Sequence, residues 1–215
     1  MARWATFDCY GTLIDWNAGI RAELARVFGE DRADALLARY HELEPELQRS
    51  GKLSYRDVMT EAMRRLGAPA GTEEGLAASL PSWQPFPEVA PALEDAWRRG
   101  WHLAILSNSD RDLIAASKDL IGVPFEQTVV AQEIRSYKPA HRHWEEFYAR
   151  TGADPARHVH IGASLFHDVE PATDLGLPTI WINRLGEPVG RVRPTRELTD
   201  LSDLPDTLDE LIPSL

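Results

Sequence analysis

The sequence predicts an α/β fold: a parallel sheet with helices on both faces and a helical insertion after the first strand. Three observations carry this expectation. Five short apolar runs, at 4–8 (WATFD), 102–107 (HLAILS), 128–131 (TVVA), 158–162 (HVHIG) and 179–183 (TIWIN), read as strands buried on both faces. Amphipathic helical patterns alternate with the last four, as parallel strands require. Between Asp15 and about Pro87 only helical spacing recurs, with no strand pattern.

Taken in order, the first strand ends at Asp8 and breaks into Tyr10-Gly11-Thr12. In the insertion, Ile20, Leu24, Val27 and Phe28 recur at helical spacing. The stretch 54–67 has Ser54 as a cap, apolar Val58, Met59, Ala62, Met63 and Leu66, and Gly67 as a stop. The Pro-rich stretch 81–91 reads as the return hinge. Val89, Leu93, Ala96 and Trp97 then share a helical face that Gly100 closes. Leu113, Ile114, Ser117, Leu120 and Ile121 form the next, with Asp110 placed to cap it. Trp144, Phe147 and Tyr148 mark a third, ended by Gly152. The tail after Glu187 reads as a short strand and a final helix. The expected organisation is a Rossmann-like core, residues 1–15 and 88–215, carrying a helical cap over 16–87.

Composition narrows the function. The 215 residues suffice for a substantial core. Lys and Arg number 23 against 34 Asp and Glu, a net charge of −11, and no basic run stands out, so a nucleic-acid partner is not expected. No apolar run approaches the length of a membrane span, and the N-terminus lacks the features of a signal peptide. Cys9 is the single cysteine, which rules out an intrachain disulfide and suits a reducing cytoplasm. It should turn away from the pocket as a core thiol. An anionic substrate would have to be drawn by a few local cations, because the overall field opposes it.

Ligands bind beyond the carboxyl ends of strands in open parallel sheets. Four polar signals fall at or close to such ends: Asp8 with Tyr10 and Thr12; Ser107-Asn108; Lys138 in SYKPA; and the segment GASLFHD, which reaches Asp168 at a helix start. A carboxylate aimed into a pocket can attack an electrophilic carbon or phosphorus, provided that donors keep it ionised. Lys138, Thr12 and Ser107 are the candidate donors. The paired histidines of HRH (141–143) and HVH (158–160) lack the Cys or carboxylate partners of a metal site, so structural or surface roles are expected. Trp16 and Trp83 could line the cap interface or pack in the core.

In this order and pattern the motifs resemble the haloacid dehalogenase superfamily, and FDCYGTL resembles its L-2-haloacid dehalogenase branch. The resemblance spans nearly the whole chain, including a helical cap after the first strand. It implies that Asp8 is the nucleophile. Superfamily phosphatases carry a second Asp two residues later, and another in a Gly-Asp-Ser segment that holds Mg²⁺ with the nucleophile; here Tyr10 and Ala163 stand at those places. A halide leaves as a stable anion without a proton, and substitution at an sp3 carbon needs no metal, so carbon–halogen chemistry fits better.

The resemblance further implies roles residue by residue. Ser107 would bind the substrate carboxylate and Asn108 would contact the departing halide. Lys138 would orient Asp8 and the carboxylate, while Asp168 would fix Lys138 and help to position water. Arg49 would cradle the halide from the cap, against the alternative of a solvated helix-end cation. Tyr10, Thr12 and Ser164 complete the expected substrate side. Ala163, Leu165 and Trp144 depart from the branch's usual residues, and His167 adds an ionisable group at the rim.

The reading is therefore a cytoplasmic, metal-independent hydrolase without cofactor, acting on short 2-haloalkanoic acids through an aspartyl ester. Its expected partner is a small anionic carboxylate, with neither nucleic acid nor membrane, and a homodimer is one option that the branch offers. Two alternatives stay open: a Mg²⁺-dependent small-molecule phosphatase, and a non-catalytic binding protein on the same scaffold.

Overall fold

The computed structural model describes residues 2–49 and 51–214. Six strands form one parallel sheet: β1 (Arg3–Phe7), β2 (Trp101–Ser107), β3 (Gln127–Val130), β4 (His158–Gly162), β5 (Thr179–Ile182) and β6 (Arg196–Leu198), in the order β3-β2-β1-β4-β5-β6. Each expected strand is present within a residue or two, and the tail supplies β6 and a last helix. All five residues of β1 are buried, as a central strand covered on both faces requires.

Alternation along the strands divides the core. Ala5 and Phe7 face one layer with Leu103 and Ile105. Trp4 faces the other with Ala104 and Leu106, against Trp144 and Phe147. Those two aromatics come from one face of a helix and are fully buried, each worth about 2–3 kcal/mol of transfer free energy.

Ten helices are described. The first four lie within residues 16–87: α1 (Trp16–Phe28), α2 (Ala33–Gln48), α3 (Tyr55–Arg65) and α4 (Gly75–Ser79). They are followed by α5 (Val89–Arg98), α6 (Arg111–Ile121), α7 (Ala131–Ile134), α8 (Arg142–Thr151), α9 (Glu170–Asp174) and α10 (Leu204–Leu211). The chain leaves the sheet and returns to it side by side: Asp15 N donates to Gln84 O at 2.9 Å, and Phe86 N to Leu13 O at 3.0 Å. None of the described helices is long and apolar enough to cross a membrane.

Capping separates two expectations. Ser54 caps α3 in a reciprocal box with Asp57. Asp110, expected to cap α6, makes no side-chain cap bond there. Its carboxylate instead accepts from Tyr55 N at 2.9 Å and Arg56 N at 3.0 Å, in the first turn of α3. The buried carboxylate thus ties the insertion to the end of β2, where the unpaired amides and positive end of α3 favour a negative charge.

Candidate active site

A cavity of about 620 Å³ opens at the carboxyl ends of β1, β2 and β4. Asp8, Tyr10, Ser107, Asn108, Lys138, Ser164 and Asp168 all line it. Thr12 stands behind Asp8, turned toward it by the tight turn after β1, in which Gly11 takes a φ of 87° that disfavours a side chain.

Lys138 is the hub. Its ammonium donates to Asp8 Oδ1 at 2.8 Å, Asp168 Oδ1 at 2.6 Å and Leu106 O at 2.9 Å, which uses all three hydrogens. Of the expected donors to Asp8, Lys138 and Thr12 bond it, Thr12 Oγ1 reaching Oδ2 at 3.0 Å, while Ser107 lines the wall. Gly162 closes β4 without a Cβ, which would lie 2.5 Å from Cβ and Cγ of Asp168. The carboxylate can therefore pack directly against the strand end.

Burial sets the charges. It pushes the Asp8 carboxyl up to about 6, with Lys138 opposing and the charge of Asp168 adding to the rise. Burial also works against ionised Asp168, but the Lys138 ammonium and the His160 hydrogen bond outweigh it and hold that group well below the usual carboxylate range. Burial would lower the Lys138 pKa; the two carboxylates, Asp168 first, keep it raised. The resting cluster is an ammonium shared between a firmly ionised carboxylate and one whose proton comes off near pH 6.

Neighbouring positions hold no carboxylate. Tyr10 Oη lies 3.2 Å from Ser117 Oγ, its ring stacked on Tyr55. Ala163 N donates to Thr12 Oγ1 at 2.9 Å. Ser164 N donates to Asp168 Oδ2 at 3.3 Å, while its Oγ accepts from His167 N at 3.0 Å. Asn108 clamps the backbone of Lys138: Oδ1 accepts from its N–H at 2.5 Å and Nδ2 donates to its carbonyl at 3.0 Å. Among the described residues no three His, Cys, Asp or Glu side chains cluster as metal ligands.

Arg49 is the exception among the expected site residues. It is exposed at the C-terminal end of α2 and does not line the cavity. Helical periodicity is the reason: His41, Glu44, Pro45 and Gln48 form the stripe facing the cavity, and the next position turns about 100° away.

That stripe, with Trp16, Tyr55 and Arg184, was not singled out for the site by the sequence motifs. Arg184 donates to Thr12 O at 2.9 Å, pairs with Glu88 at 2.6 Å and lies over the Phe86 ring. Burial pushes Glu44 up to about 7, with the charge of Asp8 adding to the rise. The i, i+3, i+4, i+7 spacing of 41, 44, 45 and 48 was the available signal, but such a stripe resembles any core-facing helix. Cys9 is fully buried, as a core thiol.

Comparison with known proteins shows the family of the chain. A family model described as haloacid dehalogenase-like hydrolase matches residues 2–176. An (S)-2-haloacid dehalogenase of Pseudomonas sp. (strain YL) is 31% identical, over 91% of this chain and 89% of that protein. The (S)-2-haloacid dehalogenase 4A of Burkholderia cepacia is 26% identical over 99% and 94%. A solved L-2-haloacid dehalogenase superposes with a TM-score of 0.87 at 26% identity, covering 97% of this chain and 99% of its own.

Proposed function

This chain belongs to the haloacid dehalogenase-like hydrolases, and we propose that it removes halide hydrolytically from a short 2-haloalkanoic acid without a metal. The observation that carries this reading is the part-buried pair Asp8–Lys138 at the cavity wall. A carboxylate held 2.8 Å from an ammonium stands at a strand end, and neither position 10 nor position 163 supplies a second carboxylate.

Asp8 attacks the α-carbon opposite the halogen. An Asp8 oxygen forms the new C–O bond while the C–X pair leaves with the halide. Lys138 offers positive charge to both Asp8 and the substrate carboxylate, and Ser107 lies in the adjoining wall. Water then attacks the carbonyl carbon of the ester, restoring Asp8 and releasing a 2-hydroxy acid of inverted configuration. The water proton passes to the solvent side, where His167 lines the rim as a neutral imidazole that burial holds below its ordinary pKa. With Arg49 outside the cavity, the halide is left to neutral donors, among them the outward hydrogen of Asn108 Nδ2, which points toward Gln48 Oε1 at 3.4 Å.

Residues 16–87 act as a cap whose closure excludes bulk water from the site. A Mg²⁺ ion does not fit the donor set: Asp8 and Asp168 already share the Lys138 ammonium, and Ala163 offers no ligand. The buried thiol of Cys9 suits a cytoplasmic setting.

The test is halide release from racemic 2-chloropropionate in EDTA, by wild type and Asp8→Asn. Release by the wild type alone, with one enantiomer consumed, supports the reading. Activity retained in Asp8→Asn removes the nucleophile assignment.

A further inference from the structure

We propose that His160 is a positioning residue for this site, oriented by a buried one-way hydrogen-bond chain that runs Tyr148–His158–Thr6–His160–Asp168. Its part in turnover rests on the dehalogenase reading above; its hydrogen-bond direction does not.

The chain follows from sheet register. Thr6 of β1 pairs with His160 of β4, and Trp4 with His158, so the hydroxyl and both imidazoles share the face toward α8. Tyr148 Oη lies 2.6 Å from His158 Nδ1; His158 Nε2 lies 2.7 Å from Thr6 Oγ1; Thr6 Oγ1 lies 2.8 Å from His160 Nδ1. The last link, His160 Nε2 to Asp168 Oδ1, is the longest at 3.4 Å. Thr6 and both histidines are buried, with Trp144 set edge-on to His160 and Phe147 against His158.

Hydrogen accounting gives the chain one direction. An ionised carboxylate only accepts, so His160 Nε2 carries the hydrogen that faces Asp168. Burial disfavours the charged imidazole and lowers the pKa of both histidines, so His160 Nδ1 is a lone pair. Thr6 must then donate to it, which leaves the Thr6 oxygen to accept from His158 Nε2–H. His158 Nδ1 accepts in turn from the Tyr148 hydroxyl. Every tautomer is set by one anion at the end of the chain.

This direction decides the role. In the resting orientation each hydrogen points toward Asp168, so the chain cannot receive the proton that ester hydrolysis releases; that proton leaves through the cavity. The chain holds a donor on Asp168 Oδ1, the oxygen that also takes Lys138, and so fixes the carboxylate plane beside Asp8. Held only by Lys138 and Ser164 N, Asp168 could tilt, while Lys138 keeps Asp8 and Leu106 O as partners, so the attacking water is misplaced and the cost falls on the second half-reaction.

Two measurements test this on the full-length protein. Long-range ¹H–¹⁵N spectra of the imidazoles, assigned by difference with His160→Gln, should show His158 and His160 as neutral Nε2–H tautomers. A charged His160, or an Nδ1–H tautomer at His160, overturns the proposal whatever the enzyme does.

Rapid quench with 2-chloropropionate and intact-mass detection of the Asp8 ester reads the second effect. His160→Asn keeps a partner for Thr6 but withdraws the donor from Asp168. It should keep the burst of halide and slow ester hydrolysis on the order of tenfold, so that ester accumulates. His160→Gln places an amide donor near the lost Nε2 and should restore most of that rate. Thr6→Val cuts the chain while retaining both imidazoles and should also accumulate ester, while Thr6→Ser should not. Equal ester lifetimes in all variants, or an equal fall of burst and turnover, overturns the positioning role. Absence of halide release from the wild type would instead sink the dehalogenase reading, leaving the spectra to judge the chain.

Discussion

Lys138 holds its ammonium 2.6 Å from Asp168, with both side chains only 1% exposed. Breaking a buried pair from one side leaves an uncompensated charge, and here the same ammonium also serves Asp8. Lys138→Met should cost roughly 3–5 kcal/mol at neutral pH. Asp168 has a depressed native pKa, so its contribution is present above the unfolded carboxylate value and is lost as pH falls through the native one. The deficit of the variant should therefore shrink in acid. Urea unfolding at neutral and acid pH reads this directly, and a deficit that does not change with pH would contradict it.

In the proposed reaction Asp8 attacks only as the anion, and its native pKa is raised to about 6. The kcat/KM for a 2-haloacid should accordingly be low in acid and climb through about pH 6. Because Lys138 couples Asp8 to Asp168, this apparent value belongs to the three-group cluster. A flat pH profile across that range would show that a different group limits attack.

Glu44 faces the same cavity with its carboxyl pushed up to about 7. Below that pH it is neutral; above it, a second negative charge confronts an anionic substrate. KM should rise through neutral pH in the wild type and stay level in Glu44→Gln. Stability carries the same sign: a raised native pKa gives a contribution that is full below the unfolded value and lost as pH rises through about 7. Glu44→Gln should thus gain on the wild type in mild alkali by on the order of 2 kcal/mol. Denaturant midpoints on either side of neutrality would show the gain or refute it.

Asp110 reaches from the end of β2 to two amides of α3. Asp110→Ala should lose about 1–2 kcal/mol, the usual cost of removing a cap, with Asp110→Asn recovering part of it. Amide hydrogen exchange should localise the change to the first turn of α3 rather than to α6. Loosening at α6 alone would mean that the local cap outweighs the tie across the interface.

Asp8, Ser107, Asn108, Lys138 and Asp168 were legible because each sits in a short motif beside an apolar strand run, and their side chains converge on one cavity. Arg49 lies outside the cavity, since family spacing alone does not say which face of a helix meets the pocket; one residue is a turn of about 100°. His158 and His160 were visible only as a pair two apart on a strand. Thr6 lies 152 and 154 positions away and is brought in by sheet register alone, while Asp168, 8 positions past His160, is returned by the helical turn after β4.

By itself the sequence determined the alternating strands and helices, the strand-free insertion, and the carboxylate and lysine that meet at the strand ends. These are local properties, set by the periodicity of apolar residues and by what can end a strand. The tertiary structure alone decided which neighbours each charged group keeps: Lys138 between two carboxylates, Asp110 on α3 instead of α6, Glu44 rather than Arg49 toward the cavity, and His160 behind Asp168. Charge state follows from desolvation and from partners a few ångströms away in space, and those distances exist only once the sheet order and register have been chosen.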